Sequence, residues 1–249
     1  FEATVDNIAA LNTVLASEKA QAAAEVIVTT TMPNDSNTKE VVFTTVNNEQ
    51  VVSLTFKDGL GTNKTINFKN DQESTQGPAN LNIVAPSGTN LVFNNPMTHV
   101  VINGTSYDNI SGTFSANTLV INKGVHVAKI DMKAGGLEIH GTVDNLTVSG
   151  TKQTVFVRSC ENLNSSVYAV AKQYIAEGYV ADDATNSIVK KDFVQDENGV
   201  WHVMNAKAYN EFAAAVNGGV TFEGKTVVLD EDIDFQNDTV APIGNHTDN

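Results

Sequence analysis

Apolar residues return in short alternating triplets through the middle of the chain. Leu81-Asn82-Ile83, Val100-Val101-Ile102, Leu119-Val120-Ile121, Leu137-Glu138-Ile139 and Val155-Phe156-Val157 begin 19, 19, 18 and 18 residues apart. A second set falls between them, at Leu91-Val92-Phe93, Ile110, Ile130-Asp131-Met132 and Leu146-Thr147-Val148. Alternation places the outer residues of each triplet on one face of a strand. Two inward side chains cannot make a core alone, but stacked copies can. The pattern predicts an all-β fold, a β-solenoid with coils of about 18–19 residues and two visible strands per coil. Asn-, Gly-, Ser- and Thr-rich segments separate the strands, as at Asn103-Gly104-Thr105 and Ser149-Gly150-Thr151.

Two other architectures share parts of this pattern. A β-sandwich also uses short strands at such spacing, but the regular register over Leu81–Val157 favours the solenoid. A hexapeptide left-handed helix meets polar Asp131 and Ser149 in its frame, and upstream Thr113 and Asn95, so it stays open only over the last two coils. A nine-residue step meets only apolar residues, from Leu119 through Ala128, Leu137 and Leu146 to Val155.

Elements flank the regular coils. Residues 6–22 predict a helix capped by Asp6 or Asn7, with Ile8, Leu11, Val14 and Leu15 on one side. Strands follow at Glu25–Thr31, Val41–Val46 and Val51–Phe56, then a turn at Asp58-Gly59 with Thr65–Phe68 as its return strand. Polar excursions lie at Pro33–Thr38 and Asn70–Gln76. Residues 165–177 predict a second helix that stops at Gly178. A solenoid end exposes a bare strand edge, so these helices are expected to cap the two ends. Thus 1–178 reads as one capped solenoid. Within 179–249, a β-hairpin is expected from Ser187–Val194 and Val200–Met204, with Gln195–Gly199 as its turn. Next, the opening of the chain recurs with an offset of 198: Asn7/Asn205, Ala10/Ala208, Asn12/Asn210 and Ala16/Ala214 match. A second module is expected to open near 203, supplying a cap helix and a first coil before the sequence runs out; on this reading the chain is a fragment of a longer protein.

Composition changes this picture little. The chain has 249 residues, 41% of them hydrophobic, and no apolar run of membrane-spanning length. Its formal net charge of −14 makes nucleic acid a poor partner. One cysteine, Cys160, excludes an internal disulfide framework and reads as a small buried residue at the solenoid's end.

Candidate chemistry is sparse. A polar residue follows the second apolar position at Asn103, Asn122, His140, Ser149 and Arg158, and Asn103 and Asn122 are placed to stack as an amide ladder. Trp201 suits either a sugar platform or hairpin packing, and packing is favoured. Alternating Asp230, Asp232 and Asp234 offer too few ligands for calcium. A β-helix hydrolase or lyase needs recurring acids with aromatic neighbours; Asp131, Glu138 and Asp144 form no recurring pair, and Tyr107-Asp108 stands alone. His99, His126, His140, His202 and His246 have no metal-ligand spacing. No catalytic residue, metal site or cofactor is expected, and no binding residue can be named. Asn-x-Ser/Thr triplets at Asn34, Asn63, Asn103, Asn109, Asn145, Asn164, Asn237 and Asn245 follow from composition; Asp238-Thr239-Val240 resembles a Bacteroidetes O-glycosylation sequence.

The region 165–249 resembles surface proteins of Bacteroidetes that carry pectin-lyase-like right-handed β-helices, an adhesin-type family. The matching pieces are the helix Asn205–Val216, the strand Val227–Leu229, Asp232-Ile233-Asp234-Phe235 and Ala241-Pro242-Ile243-Gly244-Asn245. The preceding segment from Gly178-Tyr179-Val180 to Val200-Trp201-His202-Val203 is similar too. Over 1–160 the likeness is architectural only. The resemblance implies a right-handed coil, export to the cell surface with outer-membrane anchoring through some other segment, and adhesion or glycan contact without catalysis, the partners being host or dietary glycans or surface proteins. A carbohydrate-active enzyme and a passive spacer are the alternatives.

Overall fold

The computed structural model describes residues 1–31, 39–44, 49–57, 64–71, 78–97, 99–196, 198–229, 233, 235 and 240–244. The elements are β1 (Glu2–Val5), α1 (Ile8–Leu15), α2 (Glu18–Ala22), β2 (Glu25–Thr31), β3 (Lys39–Phe43), β4 (Val51–Lys57), β5 (Thr65–Asn70), β6 (Asn80–Ala85), β7 (Thr89–Met97) and β8 (His99–Gly104). There follow β9 (Ser106–Ile121), β10 (His126–Ile139), β11 (Thr142–Val148), β12 (Val155–Cys160), α3 (Ser165–Ala171), β13 (Tyr179–Asp182) and β14 (Ser187–Lys190). The last are β15 (Phe193–Gln195), β16 (Trp201–Val203), α4 (Ala206–Asn217) and β17 (Val227–Leu229). They form two compact units, Phe1–Val189 and Lys190–Asn249.

The first unit is built on one 14-stranded sheet, mostly parallel and solenoid-like. It has two rows. In the first row β1, β2, β4, β6 and β8 pair in sequence, continued by the C-terminal parts of β9 and β10 and by β12. The second row runs β3, β5, β7, then the N-terminal parts of β9 and β10, then β11. Like stacks on like. One column is Val26, Val52, Leu81, Val100, Leu119, Leu137 and Val157. Its neighbour is Val28, Leu54, Ile83, Ile102, Ile121, Ile139 and Cys160. In the second row Ile66, Leu91, Ile110, Ile130 and Leu146 align. All of these are buried, and each such side chain contributes roughly 1.5–3 kcal/mol by leaving water.

Phenylalanines fill the space between the rows. Phe68 and Phe93 are in register on the second row and stack at 4.9 Å between ring centroids, with Phe114 5.0 Å beyond Phe93. Phe114 lies where β9 bends from one row into the other. At the matching bend of β10, Gly135 has φ +104°, and a Cβ there would collide with the Phe114 carbonyl. Only glycine passes that corner.

Several expectations are corrected. The helix over 6–22 is two helices. Ser17 Oγ accepts from the Ala20 N–H and starts α2 anew, so the helix breaks at Ala16–Ser17. The helix over 165–177 ends at Ala171, because the next residues join a rung: the Val157 N–H donates to Tyr174 O and the Ala176 N–H to Val157 O. Val51–Phe56 and Thr65–Phe68 do not form a hairpin. They lie on different rows and each pairs in parallel with other strands. In the hairpin over 187–204, Ser187–Lys190 instead joins the first sheet beside β12, and only Phe193–Gln195 pairs with Trp201–Val203. With β14 on this sheet, the first compact unit extends from Phe1 to Val189. Pro33–Thr38, the end of the strand at Val46, Asp58-Gly59, Glu197 and all but the first two residues of Asn70–Gln76 lie outside the described residues.

Both helical covers sit on the second row. At its start, Asn12 on α1 pairs with β3 as a backbone would: its Nδ2 donates to Glu40 O and its Oδ1 accepts from the Val42 N–H, both at 3.0 Å. At its end, Asn164 accepts from the Val167 N–H to cap α3 and donates to Val143 O on β11 at 2.7 Å. Each asparagine satisfies strand-edge groups that lack a further strand.

Candidate functional site

The regular product of this fold is its outer surface. On the second row the outward positions Thr65, Asn90, Asn109, Lys129 and Asn145 are in register, one per rung. Beside them run Asn67, Val92, Ser111, Asp131 and Thr147. Parallel stacking spaces such side chains about 4.8 Å apart. Several are fixed from neighbouring coils: Asn145 Nδ2 donates to Ala128 O, Thr147 Oγ1 to Ile130 O, and Ser149 Oγ to Asp131 Oδ1 at 3.1 Å. The result is a line of short amide, hydroxyl and amino groups on a rigid support.

The first row carries a second polar column. Asn122 Nδ2 donates to Asn103 Oδ1 at 2.6 Å, so the expected amide ladder is present. The column continues through His140 to Glu161, whose Oε1 lies 2.9 Å from His140 Nδ1. Glu138 Oε2 is 3.6 Å from the other ring nitrogen. Ser149 and Arg158 do not belong to this column. Ser149 follows the second row, while Arg158 turns back to Thr118 Oγ1 at 2.6 Å. The sequence grouped the five because each follows an apolar pair; the bulge between Leu137 and Ile139 shifts the register at Arg158.

The acids are dispersed. Asp131 faces out on the second row, Glu138 on the first, and Asp144 contacts His126 at 2.9 Å. Tyr107 is corrected from a candidate surface aromatic to a core residue. It is buried, accepts from the Ala85 N–H and donates to Asn103 O, and burial pushes its hydroxyl up to about 12. Asp108, beside it, is exposed. Burial likewise pushes the Cys160 thiol up to about 12, which leaves it without thiolate character. Among the described residues no group of three His, Cys, Asp or Glu side chains could hold a metal ion, and no helix is long and apolar enough to cross a membrane.

In the second unit Trp201 packs rather than presenting a platform. It stacks on Phe193 at 4.8 Å and meets Phe222 edge-on at 5.4 Å, with Phe212 closing the cluster. His202 lies 3.4 Å from Asp196, and His99 is at the start of β8. Asp230, Asp232, Asp234, Asp238, Thr239, Asn34, Asn63, Asn237, Asn245 and His246 lie outside the described residues. Of the remaining Asn-x-Ser/Thr positions, Asn103 and Asn164 are engaged by the bonds given above, and Asn109 and Asn145 stand on the second-row ladder.

Compared with protein-family models, curated proteins and solved structures, the chain matches none.

Proposed function

We propose that this is a non-catalytic cell-surface protein whose right-handed parallel β-helix contacts extended glycans along an outer face. The observation that carries the reading is the second-row ladder Thr65–Asn90–Asn109–Lys129–Asn145, with one polar side chain per rung. Amide groups donate and accept at once, which suits the hydroxyls of a sugar chain. A linear polymer needs a straight, repeating contact, and a stacked fold supplies one without a pocket. The dispersal of Asp131, Glu138 and Asp144 supports contact over bond cleavage, which requires paired carboxylates on either side of one bond. The resemblance of 165–249 to Bacteroidetes surface proteins supports export and an adhesin-type role.

A glycan array with the purified chain tests this. Binding without turnover is expected, lost when Asn90 and Asn109 are both replaced by alanine. Release of shorter products would make the protein a carbohydrate-active enzyme, and silence across the array would leave a passive spacer.

A further inference from the structure

The second unit repeats the opening of the first in its contacts. Asn7 accepts from the Ala10 N–H and Asn205 from the Ala208 N–H, both at 2.9 Å. Each capped helix connects two parallel strands, β1 to β2 and β16 to β17. Within each helix a second asparagine reaches a backbone N–H of a later segment at 3.0 Å: Asn12 takes that of Val42, Asn210 that of Ala241. These contacts set the two units in correspondence. Val5 pairs with Thr30 as Val203 pairs with Leu229. Val41 precedes Val42 as Val240 precedes Ala241.

What covers the two differs. Thr30 and Val41 are 0% exposed, since the next coil lies on them: Thr30 is in register with Phe56 on β4 and Val41 with Phe68 on β5. Leu229 is 59% and Val240 48% exposed. Val227, the counterpart of the fully buried Val28, is partly exposed as well. Among the described residues no strand pairs with the outer edge of β17. The bare apolar surface of the second unit thus matches the footprint that a second coil covers on the first.

We propose that this face docks a further β-coil. It takes two parallel strands with apolar residues at alternate positions, one on β17 and one on 240–243, as β4 and β5 lie on β2 and β3. A second copy of the chain fits less well. The ends of its first unit are closed over the second row by α1 and α3, so neither offers a bare rung of two strands. The inference rests on the internal repeat and is independent of the glycan reading.

The test uses the whole chain and a synthetic peptide of its own sequence from Gln50 to Asn70, the coil that does this in the first unit. The Trp201 N–H donates to Thr226 O, so the amides of Val227 and Leu229 face away from β16. Hydrogen exchange at these two amides and at Val240 should slow saturably as peptide is added. Leu229→Lys, at an exposed side chain, should leave the melting temperature unchanged and weaken the protection about tenfold or more, since a lysine would be buried without a partner. Three results would overturn the proposal: no protection at millimolar peptide, equal protection by a scrambled peptide, or protection of the same amides by self-association without peptide.

Discussion

Gly135 is the sharpest point at which to strain this fold. Replacing it with alanine places a methyl group at φ +104°, with the Phe114 carbonyl carbon and Cβ both 2.7 Å away and the carbonyl oxygen closer still. The positive φ alone costs about 1–3 kcal/mol, and overpacking a filled site adds about 1–3 kcal/mol. Phe114 has little room to yield, being buried and tilted against Phe93 at 5.0 Å. The loss should be roughly 2–6 kcal/mol, a large part of the ~5–15 kcal/mol that holds a domain. Gly124→Ala is the control. Its φ is +83° with nothing within 4 Å of the added methyl, so it carries the backbone term alone. Urea unfolding of both variants followed by circular dichroism gives the comparison. If Gly135→Ala unfolds at the same urea concentration as Gly124→Ala, the corner is not packed against Phe114 and the path from one row to the other is wrong.

Other outcomes follow from single groups. Thr30 is fully buried between Val5 and Phe56, and its Oγ1 has no hydrogen-bond partner among the described residues. Thr30→Val should therefore stabilise by about 1–2 kcal/mol, read as a higher melting temperature. Asp196 accepts from the Val200 N–H at 2.8 Å, and this bond, with His202 and Asn198 adding to it, holds its carboxyl below the usual range. A depressed carboxyl contributes stability above its unfolded pKa of about 3.9 and loses it as pH falls. The exchange protection of the Val200 amide should drop below about pH 4, and Asp196→Ala should remove it at neutral pH too.

Much of the first unit was legible because its later coils are nearly equal in length. Once the period is seen, Ile83, Ile102, Ile121 and Ile139 fall into a column, and the Asn103–Asn122 ladder follows from it. The earlier coils carry the same triplets, but Val26, Val52 and Leu81 are 26 and 29 residues apart, so no fixed period joins them. Strand β1 has only Ala3 and Val5 to declare it. The second-row ladder was not legible either. Its members are 25, 19, 20 and 16 residues apart, and only the strand registers align them. Tyr107, between Ser106 and Asp108, reads as a surface residue until the alternation of β9 turns it inward. The match of Asn12 to Asn210 was visible as a repeat, while its role in tying a helix to a later segment needed the contacts.

The central claim is that neighbouring coils stack in register, and a disulfide tests it directly. Asn103 and Asn122 follow the paired Ile102 and Ile121, and their side chains meet at 2.6 Å. In-register parallel positions lie about 4.8 Å apart, within the 4.4–6.8 Å that a disulfide spans between Cα atoms. Asn103→Cys with Asn122→Cys should oxidise fully to an intramolecular bond, measured by mass spectrometry after thiol labelling. Asn103→Cys with Lys123→Cys, one residue out of step, should stay reduced. Free thiols in the first pair, or equal oxidation in both, would contradict the stacked fold.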